Sequence, residues 1–426
     1  MATLAPPVSS SAPPLQAVPR VQLSVMMFLQ FAVWGAWFVT FGNRLGAIGL
    51  GDYVGSMYGT MALGTIFAPL IVGQIADRYF ASEKLMGLLH LAGAGLLYAM
   101  AQFESVAGLP PEQVAAASWK FWGLALAYSL VYSPTLSLSN TVAFANVPDG
   151  GRDFPSLRVF GTIGWIAAGL FVGKVLSLAI DKPAESNGPF LLAAGLSAAL
   201  GVFSFLLPHT PPKGQAGDAL PFLKAVGLLQ NFSFAVFFGA SFLITIVLAF
   251  YYGYTGVFIA DKHKVTDVSS TMAIGQVAEM VILPFLPLFL FRFGMKWVLA
   301  LGMLCWGIRY GAFALAPADN AGFYLMLFGI ALHGICFDFF FAAGFIHVDS
   351  EAPAEIRGSA QALFVFLTYG VGMWLGNTLS EQVARMTTTT VGTVKTTDWQ
   401  TFWLIPAAGV LAALAVFVLF FRGKRA

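Results

Sequence analysis

Charge is scarce in this sequence. Only 10% of its 426 residues are Asp, Glu, Lys or Arg, against about 25% in a soluble globular domain. A water-facing surface of ordinary composition cannot be built from so few, which excludes a soluble enzyme. A nucleic-acid binder is excluded too, because a net charge of +2 offers no basic footprint. Cysteine is nearly absent. The two present, Cys305 and Cys336, lie deep in apolar runs and read as small core hydrophobes, so no disulfide framework points to an oxidising compartment. No small-residue cleavage site closes the first apolar run, which is also too long for a signal-peptide core and is expected to stay in the membrane.

Apolar and aromatic residues make up 58% of the chain, with 41 Phe, 10 Trp and 12 Tyr. Disorder is thereby confined to the ends, and the solvent for most of the protein must be lipid. A spanning helix needs about 20 apolar residues. Twelve such runs are expected, near residues 21–42, 54–76, 84–103, 119–145, 157–179 and 189–207, then 232–259, 269–291, 295–316, 323–348, 360–383 and 401–421. Their length, and the Gly and Ala inside them, favour helices, and the roughly ten-residue alternation of a membrane barrel is missing. The fold class expected is an all-α polytopic membrane protein.

The longest polar break in the middle, His209–Leu220, divides these runs six and six. The expected organisation is an Ala/Pro/Ser-rich leader over 1–19, a six-helix half over 20–208, a linker over 209–224 and a second half over 225–426. Two such halves match transporters built from parallel repeats. Placing the N-terminus in the cytoplasm puts thirteen Lys and Arg on the inside and eight on the outside. That bias places both termini and the linker in the cytoplasm.

An ionisable residue at the bilayer centre costs at least ~2.5–3.5 kcal/mol, so each is a functional candidate. Glu279 lies mid-span in the eighth run, Arg309 in the ninth, and His333 and Asp338 in the tenth. A carboxylate whose exposure or cationic neighbour changes between two conformations loads and unloads a proton. Glu279 and Asp338 are the two candidates. A rise of ~1.5 Å per residue sets Glu279 and Arg309 at similar depth, so these two are expected to pair; a static ion pair that orients helices is the alternative. Gln276 precedes Glu279 by three residues and can face the same cavity. In the fifth run, Arg158, Thr162 and Trp165 fall at i, i+4 and i+7, one stripe of a helix. A charge, a hydroxyl and an indole in one stripe suit a cavity wall better than lipid, although an Arg at this depth can also snorkel to the surface. Gly161 and Gly164 read as packing residues.

Other features carry less. Trp34, Trp37, Phe38, Phe250, Tyr251, Tyr252 and Tyr254 are explained first as interfacial aromatics. Gln30 and Asn140 read as helix-to-helix glue. His347 and Asp349 form no metal or nucleophile pattern with neighbours in sequence, so neither a metal site nor a polytopic membrane enzyme is expected.

Several strings in the sequence carry a family resemblance. Gly73-x-x-x-Asp77-Arg78 resembles the conformational loop signature of the major facilitator superfamily, without its further Gly and basic residues. Phe28–Trp37, Tyr132–Leu136, Asp153–Gly164, Gln276–Glu279, Cys336–Phe340, Ile356–Gln361 and Asp398–Thr401 are similar to segments of the nucleoside:proton symporters of that superfamily. The resemblance implies a substrate cavity lined by Arg158, Thr162, Trp165, Gln276, Glu279, His333 and Phe337, with Glu279, Asp338 and Arg309 in proton coupling. His333 stands where that family carries Tyr, and Trp165 where it carries Phe. The activity implied is import of nucleosides by proton symport, with the halves alternating in access about a central cavity. The proton is the coupling ion, and no cofactor is implied. The implied setting is a bacterial inner membrane and the implied assembly a monomer. A proton-coupled carrier of sugars or other glycosides stays open as the alternative, as does the choice of purine or pyrimidine.

Overall fold

A computed structural model describes residues 15–71, 77–212, 220–391 and 394–423. Most of the expected leader, residue Gly73 and the middle of the expected linker lie outside the described residues. Among the described residues, nine helical stretches are long and apolar enough to cross a membrane. One of them, Val268–Leu315, runs to 48 residues, well beyond the ~20 that a bilayer needs, and Gly294 breaks it at φ 72 and ψ 165. Only glycine adopts that backbone region readily. The break makes two spans of this stretch, and Val54–Ile71 and the 17-residue Gly188–Ser204 complete the twelve.

In chain order the spans are α1 (Ala17–Ala47), α2 (Val54–Ile71), α3 (Ser82–Ala101), α4 (Pro111–Ala145), α5 (Gly150–Leu170) and α6 (Gly188–Ser204). The second half comprises α7 (Phe232–Lys262), α8 (residues 268–293), α9 (residues 295–315), α10 (Asn320–Glu351), α11 (Ala354–Thr387) and α12 (Trp399–Phe420). The fold is the all-α, twelve-helix arrangement in two six-helix halves expected from the sequence, with two additions. Helix α4 begins eight residues before the expected Trp119, because Pro111 is suited to a first helical position, where its missing N–H costs nothing. Beyond α11 a short antiparallel hairpin pairs β1 (Thr388–Val391) with β2 (Val394–Thr397); its β-branched Thr and Val suit strands.

Close backbone approach holds the first half together. A Cβ at Gly161 would meet the Phe31 ring at 2.6 Å, and one at Gly164 would collide with the Phe28 carbonyl, so the two glycines let α1 lie on α5 as the packing reading expects. Gln30 is glue as expected. Its Nε2 donates to Thr135 Oγ1 (2.8 Å) while its Oε1 meets His90 Nε2 (2.8 Å), and His90 Nδ1 reaches Ser197 Oγ (3.1 Å). That network joins α1, α3, α4 and α6. Asn140 is exposed instead.

The aromatic residues of α1 and α7 correct the interfacial expectation. Trp37, Phe38, Phe250, Tyr251 and Tyr254 are buried, with Trp37 stacked on Phe190 at 5.5 Å and Phe38 against Tyr58 at 5.0 Å. They are core because helices pack on both sides of α1 and α7. Cys305 and Cys336 are free and buried, as expected. His347 is also core, edge-on to Phe237 at 4.8 Å, while Asp349 faces Arg357 at 3.5 Å.

The two ends of the bundle differ. At the end away from the termini, polar ties cross between the halves. Glu381 of α11 accepts from Ser56 N–H (2.6 Å) and Ser56 Oγ (2.8 Å) of α2. Arg385 donates to the Asp52 carbonyl through Nε and Nη2, and Lys395 holds the Asp52 carboxylate at 2.6 Å. Lys174 pairs with Asp267 at 2.6 Å, and Asn43 Nδ2 donates to the Gly256 carbonyl. At the terminal end, by contrast, Gln22 bonds the Leu206 carbonyl, Glu83 accepts from Thr210 N–H, Ser233 bonds the Arg422 carbonyl and Lys296 the Val418 carbonyl. Each of these four ties stays on its own side of the molecule.

Candidate functional site

A cavity of about 290 Å³ lies between the halves, at the small end of the ~300–1,000 Å³ typical of ligand pockets. The first half contributes Phe31, Trp34 and Phe38 of α1, Tyr58, Met61, Ala62 and Thr65 of α2, Leu136 of α4, and Arg158, Thr162 and Trp165 of α5. The second contributes Tyr252 of α7, Gln276 and Glu279 of α8, His333 and Phe337 of α10, and Tyr369, Met373 and Asn377 of α11. All seven residues expected to line a substrate cavity stand in this one.

Helical period explains the α5 wall: Arg158, Thr162 and Trp165 share a stripe and all face inward. Arg158 does not snorkel. Its guanidinium lies 4.0 Å above the Phe31 ring, within cation–π range. The Trp165 indole stands edge-on to Trp34 at 5.2 Å and 77°, one wall of a slot lined by aromatic faces. Two cavity helices leave regular α geometry beside the site. α10 has a π-turn at Asp338–Ala342, immediately after Phe337, and α11 has one at Phe366–Gly372, which carries Tyr369. Such turns recur at functional sites because they re-aim the side chains that follow.

The ionisable groups form a row. Glu279 Oε2 is 3.9 Å from His333 Nε2, and the His333 ring stacks on Tyr251 at 5.2 Å and 15°. Beyond it the Arg309 guanidinium lies 4.3 Å from the Tyr251 ring centre and 4.6 Å from that of Trp306. Arg309 Nε donates to the Gly329 carbonyl (3.0 Å). The expected Glu279–Arg309 pair is therefore corrected. Two rings, those of His333 and Tyr251, separate them, and along α10 the Arg309 backbone lies beside Gly329 while the Glu279 backbone lies beside Gly334. The cation that lines the same cavity as Glu279 is Arg158, from the opposite half, and Arg309 does not line it.

Asp338 does not line the cavity. It is buried behind Phe337, and its Oδ2 has no protein partner. In the conformational loop, Asp77 opens the short helix Asp77–Tyr79, and Arg78 lies 4.9 Å over the Tyr79 ring. Sequence reasoning missed Tyr58, Thr65, Tyr369, Met373 and Asn377, and read Phe38 and Tyr252 as surface aromatics. Among the described residues no group of three or more His, Cys, Asp or Glu could hold a metal ion.

A cavity between two six-helix halves, with Arg158 from one and Glu279 from the other in its lining, is the arrangement of a membrane carrier of the major facilitator superfamily. The family model described as "Nucleoside H+ symporter" matches residues 19–426, and the chain belongs to that family. It is a transporter and not an enzyme, and of the two substrate classes left open by the sequence the family is that of nucleoside carriers. The chain is 39% identical to the Escherichia coli (strain K12) protein YegT over 411 residues, covering 94% of this chain and 93% of that protein. It is 33% identical to xanthosine permease of the same organism, covering 95% of each. The crystal structure of the nucleoside transporter NupG superposes with a TM-score of 0.82 at 31% identity, covering 95% of this chain and all of that one.

Proposed function

We propose that this chain imports nucleosides together with protons, with Arg158 and Glu279 as the working pair of the site. The observation that carries the reading is that a cation from one half and a carboxylate from the other meet in one aromatic-walled cavity. Arg158, Thr162 and Glu279 offer donors and acceptors to ribose hydroxyls, and Gln276 offers an amide to a base edge. Trp165 and Phe337 present ring faces to the base; such stacking is worth about 1–3 kcal/mol per base in single-strand binders.

Coupling follows from electrostatics. With Glu279 ionised, its attraction to Arg158 acts across the boundary between the halves, and protonation removes it. The ease with which the halves separate at the cavity therefore depends on the proton. His333, 3.9 Å from Glu279, is a group with which that proton can be shared, and Asp338 is the second acid able to carry one. One charge crossing 100 mV releases about 2.3 kcal/mol, which at 1.36 kcal/mol per decade sustains a roughly 50-fold gradient for one proton per neutral nucleoside. The bias of Lys and Arg supports a membrane orientation with both termini in the cytoplasm. The bacterial relatives support an inner membrane, and the cavity is complete within one chain, as a monomer requires.

The test is uptake of labelled uridine and adenosine into proteoliposomes with and without an imposed inward proton gradient. Accumulation that collapses with a protonophore is expected, with Glu279→Gln abolishing it and Asp338→Asn compared in the same assay. A folded protein that takes up neither nucleoside in response to the gradient would overturn the proposal.

A further inference from the structure

We propose that Asn377 is a specificity residue that hydrogen-bonds the Watson–Crick edge of the nucleobase, a second amide opposite Gln276. This deepens the reading above and rests on it.

Asn377 lies on α11 at the edge of the cavity nearer the end away from the termini. Its side chain is 1% exposed, and both Nδ2 and Oδ1 lack a protein partner. A buried amide left unpaired on both sides is costly and therefore rare, so one on a residue that lines a cavity asks for a ligand. Two glycines, which carry no side-chain partner, stand beside it. Asn377 Cβ is 3.9 Å from where a Cβ at Gly59 would stand, and its Oδ1 is 4.0 Å from the same point at Gly253. The backbone of Asn377 abuts Gly55, which fixes where the side chain begins. Three successive turns of α11 (Tyr369, Met373 and Asn377) line the cavity, so the amide is held on a regular helix from the π-turn onward.

Chemistry chooses the ligand. An amide presents one donor and one acceptor side by side and pairs with an edge that offers the reverse. Adenine does so through N1 and its exocyclic amine, and uracil through N3–H and O4; in DNA complexes side-chain amides use the same donor–acceptor pairing on adenine's other edge, at N6 and N7. A sugar lacking a base has no such planar edge. The substrate class is accordingly an intact nucleoside with an unblocked base edge, and sites built on buried hydrogen bonds reject analogues that cannot make them far more strongly than apolar pockets do.

The experiment measures equilibrium binding and proton-driven uptake of uridine against 3-methyluridine, and of adenosine against N6,N6-dimethyladenosine. The variants are Asn377→Leu, of similar shape, and Asn377→Ala. The unmodified protein is expected to favour each unblocked nucleoside about ten-fold. Each variant is expected to lose about ten-fold for the unblocked nucleosides and little for the blocked ones, so that the preference disappears. Equal loss for blocked and unblocked forms, or no loss for either, overturns the assignment. Because the result is a ratio within one preparation, a variant that folds poorly lowers both members and leaves the ratio to decide. Absence of nucleoside uptake by the unmodified protein is a different failure, that of the transport reading itself.

Discussion

The two ends of this transporter are held by different means. At the end away from the termini, α11 and the hairpin that follows it are tied to α2 and the loop before it by a carboxylate on a backbone N–H, a guanidinium on a carbonyl and a lysine on Asp52. The glycines there bring backbones of opposite halves together: a Cβ at Gly42 would meet the Gly253 carbonyl at 2.9 Å. At the terminal end, the ties of Gln22, Glu83, Ser233 and Lys296 run within one side. The difference teaches where alternation is controlled. A rocking carrier must break one set of cross-half contacts to open that end, and here the set to be broken is polar, local and centred on α11. Tyr369, Met373, Asn377, Glu381 and Arg385 follow at four-residue spacing along that helix, so cavity contacts and latch contacts follow one inclined ridge of it.

The sharpest way to break this contrast is steric. A Cβ at Gly55 would collide with the Asn377 carbonyl and stand 2.6 Å from Glu381 Cβ, so Gly55→Leu is expected to stop the halves from meeting at this end. Transport in proteoliposomes should fall by more than ten-fold while the protein stays monodisperse; activity within two-fold of the original would remove the seam from the mechanism. Glu381→Gln comes next. Its carboxylate is only 12% exposed and accepts from Ser56 twice, and hydrogen bonds to charged groups contribute about 1.5–3 kcal/mol. Spin labels at Gly46→Cys and Lys264→Cys should show a longer-distance population raised about ten-fold, and an unchanged distance distribution would show that the latch does not hold the end closed.

Lys395→Ala should do least. The Lys395–Asp52 pair is about half exposed on both sides, and exposed pairs contribute little. Its effect on the same distances is expected to stay within two-fold. Asp349→Asn, which removes an exposed pair with Arg357 inside one half, is the matched control at the terminal end. A larger effect there than at Glu381 would reverse the contrast.

Much of this architecture was legible because lipid is a demanding solvent. Runs of about 20 apolar residues declare spans wherever they occur, and the Arg158 stripe followed from the helical period alone. Rotation was not legible. A rise per residue gives only an approximate depth, and which neighbour a side chain faces depends on how helices pack. The same limit hid Asn377. An amide within a span looks alike in sequence whether it is exposed, as Asn140 is, or aimed at a cavity. Trp and Tyr in α1 and α7 misled for a related reason, since residue type marks a preference for the interface but not which side of a helix meets lipid. The Thr-rich hairpin carried a visible strand signal in its β-branched residues, overshadowed by the helical runs on both sides.

Gly294 bears on how the protein is made. With a single residue between α8 and α9, the chain has no length to wait in water between the two spans, so they must enter the bilayer as one preformed hairpin. Arg292 and Lys296 flank the turn, and Lys296 bonds the Val418 carbonyl of α12. The same basic pair that biases the hairpin's orientation during synthesis thus gains its last contact only when the final helix arrives, a local record that assembly of the second half is complete.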